Sequence, residues 1–118
     1  IESNLVGYPA DCRKALTDVG EKNLKIVVDT CHMAIRGIDF QEYFDLLGDD
    51  IYHIHLNDYD QVPWGEGSLP LKDYLSVMSE NAYDRYYTLE ICSLPHHVNA
   101  DKSVEDNVAY IRKALDEQ

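Results

Sequence analysis

Apolar runs of strand-like length alternate along the chain with segments of helical period. Three of these runs are typical of β-strands, and each contains a polar residue near its end: Leu24 to Asp29, Ile51 to Asn57 and Tyr86 to Cys92. Helical periodicity precedes the first run and follows each of the three. This order, one helix and then three strand–helix units, favours an α/β fold with a parallel sheet.

Four amphipathic helices are predicted from the spacing of apolar residues and from residues that favour helix starts. The start signals are Pro9, Asp39–Glu42 in capping-box form, Ser68 with Pro70, and Ser103 with Asp106. The residues predicted to face the core are Cys12, Leu16 and Val19, then Phe40, Tyr43, Phe44 and Leu47, then Leu71, Leu75 and Met78, and finally Val104, Val108, Ile111 and Leu115. The segments predicted as loops are that around Gly37, residues 58–68 and residues 94–97.

Alternation within the strands separates a polar face from an apolar face. In the second strand His53, His55 and Asn57 share one face, while Tyr52, Ile54 and Leu56 lie on the other. The third strand repeats this pattern, because Thr88 and Glu90 alternate with Leu89 and Ile91. A β/α barrel explains the contrast, since helices cover the outer face while the inner face opens into a site at the strand C-termini.

Chain length, charge and cysteine content limit the binding partners and the cellular location that are expected for this fold. The chain has 118 residues, whereas a closed eight-stranded barrel has roughly 250, so we interpret it as part of a larger protein. Its net charge of −12 disfavours nonspecific binding to nucleic acid or anionic membranes. The three cysteines do not form a disulfide framework, which favours a reducing, cytoplasmic location. No apolar run approaches the ~18 residues of a membrane span.

The polar residues at the strand ends are candidates for a metal site. Asp29, His55 and Glu90 supply a carboxylate, an imidazole and a second carboxylate to one end of a parallel sheet, a donor set that suits a divalent cation. Taken singly, each residue has a simpler explanation, such as a loop cap for Asp29 or a hydrogen-bonded core histidine for His55. Their coincidence at equivalent strand ends favours a functional site.

Four motifs carry a family resemblance: Asp-Thr-Cys-His at 29–32, His-Ile-His-Leu-Asn-Asp at 53–58, Gly-Glu-Gly at 65–67 and Leu-Glu-Ile at 89–91. In this order and spacing they resemble the xylose isomerase-like barrels, which include sugar-phosphate isomerases, ketose 3-epimerases and apurinic endonucleases of the deoxyribonuclease IV type. The resemblance implies that residues 1–118 form one domain fragment of a (β/α)8 TIM barrel. They would be its C-terminal part, strands six to eight with flanking helices.

The resemblance also implies roles for individual residues. Family members hold their metal with Glu, Asp, His and Glu from strands five to eight, and Asp29, His55 and Glu90 match the last three. The first Glu is expected upstream of Ile1, with Glu2 as an alternative. His32 matches a residue that contacts substrate in the epimerases and metal in the endonucleases. Mostly oxygen ligands favour Mn²⁺ or Mg²⁺, with Co²⁺ or Zn²⁺ as further candidates.

We therefore expect a divalent-metal-dependent isomerase or epimerase of sugars or sugar phosphates. Glu90 would transfer a proton on carbon through an ene-diolate, and the fragment alone would be inactive. Trp64 either covers the sugar or packs on the barrel rim. His96 and His97 lie within reach of a substrate or are solvated loop residues. Exposed strand edges predict that the isolated chain forms a homo-oligomer.

Two other function classes stay open. An apurinic endonuclease of this family would carry an Asp-x-His pair in the loop after the second strand, but residues 59–67 contain no histidine. Within the isomerase class, epimerases of free ketoses often have an arginine in the same loop. None occurs between Asp58 and Ser68, so the identity of the substrate stays open. The second alternative is a non-catalytic barrel relative that binds a polyol or a protein.

Overall fold

A computed structural model describes residues 5–117 and shows three strands interleaved with helices. In chain order the elements are α1 (Pro9–Val19), β1 (Ile26–Asp29), α2 (Thr30–Ile35), α3 (Phe40–Leu47), β2 (Ile51–Leu56), α4 (Leu71–Glu80), β3 (Tyr87–Leu89), α5 (Leu94–His97) and α6 (Ala100–Asp116). Two single turns of 3-10 helix, Gly48–Asp50 and Tyr59–Gln61, lie on either side of β2. The predicted strand–helix alternation is confirmed.

The three strands form a parallel sheet in the order β1-β2-β3. Ile26 pairs with Ile51, but Val27 pairs with His53, so the register of β1 against β2 shifts by one residue and passes over Tyr52. Beyond this shift the ladder is regular, and Asp29 pairs with His55. Because carboxyl ends of parallel strands meet at one edge, the polar strand ends come together.

The core lies on one face of the sheet, between the strands and the helices. Val28, Ile54 and Leu56 are buried there, together with the apolar stripes of α3 and α4. The opposite face is open, and Val27 on it is 54% exposed. The predicted division of the strands into an apolar face under the helices and a polar face toward the site is confirmed for Ile54 and Leu56. It is wrong for Tyr52, which is 57% exposed because the register of β1 against β2 shifts at this residue.

The segment around Gly37, predicted as a loop, includes a short helix that sequence periodicity did not indicate. α2 begins directly after Asp29, whose carboxylate accepts a hydrogen bond from the backbone N–H of His32 at 2.8 Å. The aspartate at the strand end therefore also caps a helix, which is why the chain turns without an intervening loop. Residues 94–97, also predicted as a loop, form the short helix α5.

The last helix begins earlier and faces the core differently from the prediction. α6 starts at Ala100, so Ser103 lies inside it and does not cap it. Val104 and Leu115 are 49% and 42% exposed, whereas Asn107, Ile111 and Ala114 are buried. A polar contact sets this rotation, because the backbone N–H of Trp64 donates to Asn107 Oδ1 at 3.0 Å.

Smaller corrections concern element ends. Val19, predicted to face the core, is exposed at the end of α1, and all three strands are shorter than predicted. Within residues 5–117, no helix combines the length and the apolar character that crossing a bilayer requires.

Candidate functional site

Asp29, His55 and Glu90 converge at the carboxyl end of the sheet. One ligand atom from each residue lies within 4.8 Å of the other two. His55 Nδ1 is 3.2 Å from Glu90 Oε2 and 3.7 Å from Asp29 Oδ2. The structure thus brings together the three residues that the sequence predicted as ligands, one from each strand or its immediate end.

Local hydrogen bonds orient the two carboxylates. Asp29 Oδ1 is occupied by the helix cap to His32 N, which leaves Oδ2 directed toward His55. Asn57, just after β2, donates from Nδ2 to Asp29 Oδ2 at 3.1 Å and to Glu90 Oε2 at 3.2 Å. The sequence placed Asn57 on this face but indicated no role for it.

The electrostatics of the centre suit a cation. Burial raises the pKa of the Glu90 carboxyl above its ordinary value, and the neighbouring Asp29 raises it further, while His55 acts in the opposite direction. Two partly buried carboxylates at one point repel each other, and a divalent ion between them would relieve that repulsion. The donor set, two carboxylates and one imidazole, therefore fits a divalent metal.

The three residues line an open cleft of about 470 Å³. Its other lining residues are Val6, Gly7, Cys12, Ile26, Val27, Val28, His32, Arg36, Tyr43, Gln61 and Cys92. His32 and Arg36 stand one helical turn apart and share the wall formed by α2. The volume lies in the range of small-molecule binding sites.

Gln61 reaches the cleft from a backbone in an uncommon conformation. Both Asp60 and Gln61 have positive φ values, 61° and 55°, which non-glycine residues seldom adopt. The Gln61 carbonyl accepts a hydrogen bond from Cys92 N at 3.0 Å, and its Nε2 lies 3.4 Å from His32 Nε2. Such local strain is found at functional sites, and here it directs an amide side chain toward His32. Periodicity gave no signal for Gln61.

A buried carboxylate holds the loop that follows β2. Asp58 is 1% exposed and accepts hydrogen bonds from four backbone N–H groups, those of Tyr59, Gly65, Gly67 and Leu69. Gly67 of the Gly-Glu-Gly motif follows from this arrangement, because a Cβ at position 67 would overlap Asp58 Oδ1, while Gly65 has a φ of +96° and packs against the Tyr110 ring. Asp58 belongs to the sequence motif at 53–58, but nothing in the sequence indicated that its carboxylate holds this loop.

Trp64, His96 and His97 lie outside the cleft. Trp64 is 3% exposed and packs in the core, 6.3 Å from the Tyr74 ring, which favours the packing alternative over a cover for substrate. His96 Nε2 lies 3.1 Å from Glu66 Oε2, and His97 is exposed. Among the described residues, none of these three lines the cleft. Glu2 lies outside the described residues.

Comparisons with known proteins agree with this geometry. A profile of the family described as xylose isomerase-like TIM barrel matches residues 2–114. A fructoselysine 3-epimerase of Escherichia coli O157:H7 is 32% identical over 99 residues, covering 79% of this chain and 36% of that protein. A D-psicose 3-epimerase of Enterocloster bolteae is 32% identical over 82 residues, covering 67% and 27%. The chain spans about a third of the length of these relatives.

Solved structures share the fold at lower sequence identity. A D-allulose 3-epimerase from Methylomonas sp. superposes with a TM-score of 0.82 at 17% identity, covering 95% of this chain and 44% of that one. An L-ribulose 3-epimerase gives a TM-score of 0.81 at 18% identity, with 98% and 44% covered. The three-stranded sheet and its helices thus correspond to part of a TIM barrel.

Proposed function

Because the chain belongs to the xylose isomerase-like TIM barrel family, we propose that its protein is a divalent-metal-dependent sugar isomerase or epimerase. The observation that carries this proposal is the convergence of Asp29, His55 and Glu90 within 4.8 Å at the carboxyl end of the sheet. Relatives named as epimerases of fructoselysine and D-psicose support a ketose or ketose derivative as the substrate class.

Asp29 Oδ2, His55 Nδ1 and Glu90 Oε2 would hold the metal ion, which on general grounds is Mn²⁺ or Mg²⁺. When bound, the ion supplies Lewis-acid polarisation of oxygen atoms next to the reacting carbon. A fourth ligand, a glutamate, is proposed from strand five of the barrel.

The chain's own residues would divide the remaining tasks. Glu90 is suited to take a proton from carbon and return it, because its carboxylate lines the cleft in which a substrate would lie. His32, on the cleft wall beside Gln61, would hydrogen-bond a substrate oxygen. A general base on only one face of the substrate would exchange the proton and retain the configuration at the reacting carbon. Inversion of that carbon needs a second base on the opposite face, which we assign to the strand-five glutamate.

DNA cleavage is not favoured. The loop at residues 59–67 lacks the histidine of the endonuclease pattern, and the net charge of −12 opposes binding to a polyanion. The relatives and structural neighbours described above carry the names of sugar epimerases.

The test uses the full-length protein, freed of metal and then supplied with Mn²⁺. Incubated in deuterated water with D-psicose and with fructoselysine, it should interconvert each ketose with its C3 epimer and introduce deuterium at C3. Glu90→Gln should abolish the interconversion, because inversion needs a base on each face of the substrate, while Asp101→Asn, which changes an exposed carboxylate on α6, should leave both the interconversion and the exchange unchanged. Turnover by Glu90→Gln at the wild-type rate would contradict the proposed role of Glu90.

A further inference from the structure

Asn57 contacts two of the three proposed metal ligands from a fully buried position. It is 1% exposed and lies just beyond β2, the middle strand of the sheet. Asp29 closes β1 on one side, and Glu90 follows β3 on the other. One side chain in the middle therefore touches a carboxylate from each outer strand.

The amide group of Asn57 matches this task chemically. Its nitrogen carries two hydrogens, and the two recorded contacts, 3.1 Å to Asp29 Oδ2 and 3.2 Å to Glu90 Oε2, use one hydrogen each. An ammonium group in this place would compete with a metal ion, and a carboxylate would add repulsion. A neutral double donor holds both acids while leaving their negative charge available.

The oxygen end of the Asn57 amide is held by residues 30 and 31. Asn57 Oδ1 accepts a hydrogen bond from Cys31 N at 2.9 Å and lies 2.9 Å from Thr30 Oγ1. The backbone N–H of Asn57 donates to the same Thr30 hydroxyl at 3.0 Å. Since Cys31 N can only donate, these contacts decide which end of the amide is oxygen and therefore direct Nδ2 toward the carboxylates.

We propose that Asn57 is a positioning residue, which sets the separation of the Asp29 and Glu90 carboxylates so that the site is formed before a metal ion binds. The inference rests on the proposed function, because it takes both acids to be metal ligands. Without the amide the two carboxylates would repel each other and move apart, and metal binding would have to bring them together. Loss of such an outer-shell partner typically weakens metal affinity about 10- to 100-fold.

The experiment measures Mn²⁺ affinity by titration calorimetry of the metal-free, full-length protein. Asn57→Leu removes both halves of the amide at similar volume, and Asn57→Asp keeps the acceptor toward Cys31 while removing both donors. Asn107→Leu is the matched control, because Asn107 is also 1% exposed but its recorded contact is with Trp64. Thermal unfolding of each variant verifies folding.

We expect Mn²⁺ affinity to fall at least about 10-fold in Asn57→Leu and Asn57→Asp, with kcat falling more than KM rises, and to stay unchanged in Asn107→Leu. Asn57→Asp is the more stringent variant. Its added negative charge alone would strengthen Mn²⁺ binding, so a loss of affinity has to come from the lost hydrogen-bond donors. If folded Asn57→Leu, which adds no charge, binds Mn²⁺ within threefold of wild type, the positioning role is wrong. If Asp29→Asn binds like wild type, the ligand assignment itself fails, and the inference fails with it.

Discussion

Gly67→Ala should destabilise the loop after β2 through one specific collision. A Cβ at position 67 would overlap Asp58 Oδ1 and lie 2.5 Å from Asp58 Cγ and 2.9 Å from Tyr59 N. The neighbouring atoms are a buried carboxylate and backbone, not the flexible end of a long side chain. The carboxylate must therefore move, and its hydrogen bonds move with it.

The size of the expected loss in the free energy of unfolding follows from the hydrogen bonds that Asp58 Oδ1 accepts. It accepts from Tyr59 N at 2.7 Å and from Leu69 N at 2.8 Å. A hydrogen bond to a charged group contributes about 1.5–3 kcal/mol, so losing both sets a ceiling of about 3–6 kcal/mol. Partial rearrangement of the loop recovers some of this, and we expect the free energy of unfolding to fall by roughly 3 kcal/mol.

Chemical denaturation of the full-length protein measures this difference, and hydrogen exchange of residues 58–69 locates it. Gly37→Ala is the matched control, because φ at Gly37 is +66° and an added Cβ would meet nothing within 4 Å. That variant should lose only the cost of left-handed backbone, about 1–2 kcal/mol. If Gly67→Ala unfolds no more easily than Gly37→Ala, and exchange at residues 58–69 is unchanged, Asp58 does not hold this loop.

Four further outcomes test the site. Asp29→Asn and His55→Ala should each reduce the Mn²⁺ retained after dialysis of the full-length protein, and equal metal content in variants and wild type would exclude them as ligands. In metal-free protein Glu90→Gln should be more stable than wild type at neutral pH. The raised pKa of Glu90 means that wild type gains stability as pH falls and loses it as pH rises, so thermal unfolding should show the difference vanishing near about pH 4. Gln61→Ala should raise KM for the ketose more than it lowers kcat, and a change confined to kcat would contradict a binding role. Supplied with Mn²⁺ or Zn²⁺, the protein should leave abasic DNA intact in a nicking assay; cleavage abolished by a chelator would overturn the isomerase assignment.

The features that the sequence predicted well depend on local pattern. Period-2 alternation located the polar face of β2, and the structure confirms that His53 and His55 lie opposite the buried Ile54 and Leu56. The apolar stripe of α3 was equally clear, because four residues at helical spacing follow a capping aspartate. Such signals are strong because each residue's environment is decided by its own element.

Features that depend on contacts between distant segments were not predictable in this way. The rotation of α6 follows from Asn107 binding the backbone of Trp64, 43 positions earlier in the chain. The polar Asn107 weakens the apparent apolar face, so periodicity selected Val104 and Leu115, which are exposed. The role of Asn57 likewise requires knowing that the ends of β1 and β3 flank it.

Because of the one-residue register shift between β1 and β2, the effect of deleting a residue of β2 on the site depends on which residue is deleted. Because the register passes over Tyr52, deleting that residue would leave a continuous ladder in which Asp29 still pairs with His55. The loss would be the Tyr52 ring, over which the Arg85 guanidinium lies at 4.4 Å. Deleting Ile54 instead would turn His55 onto the helix-covered face and separate the ligands. A deletion in this strand is thus tolerable at position 52 and disabling two residues later.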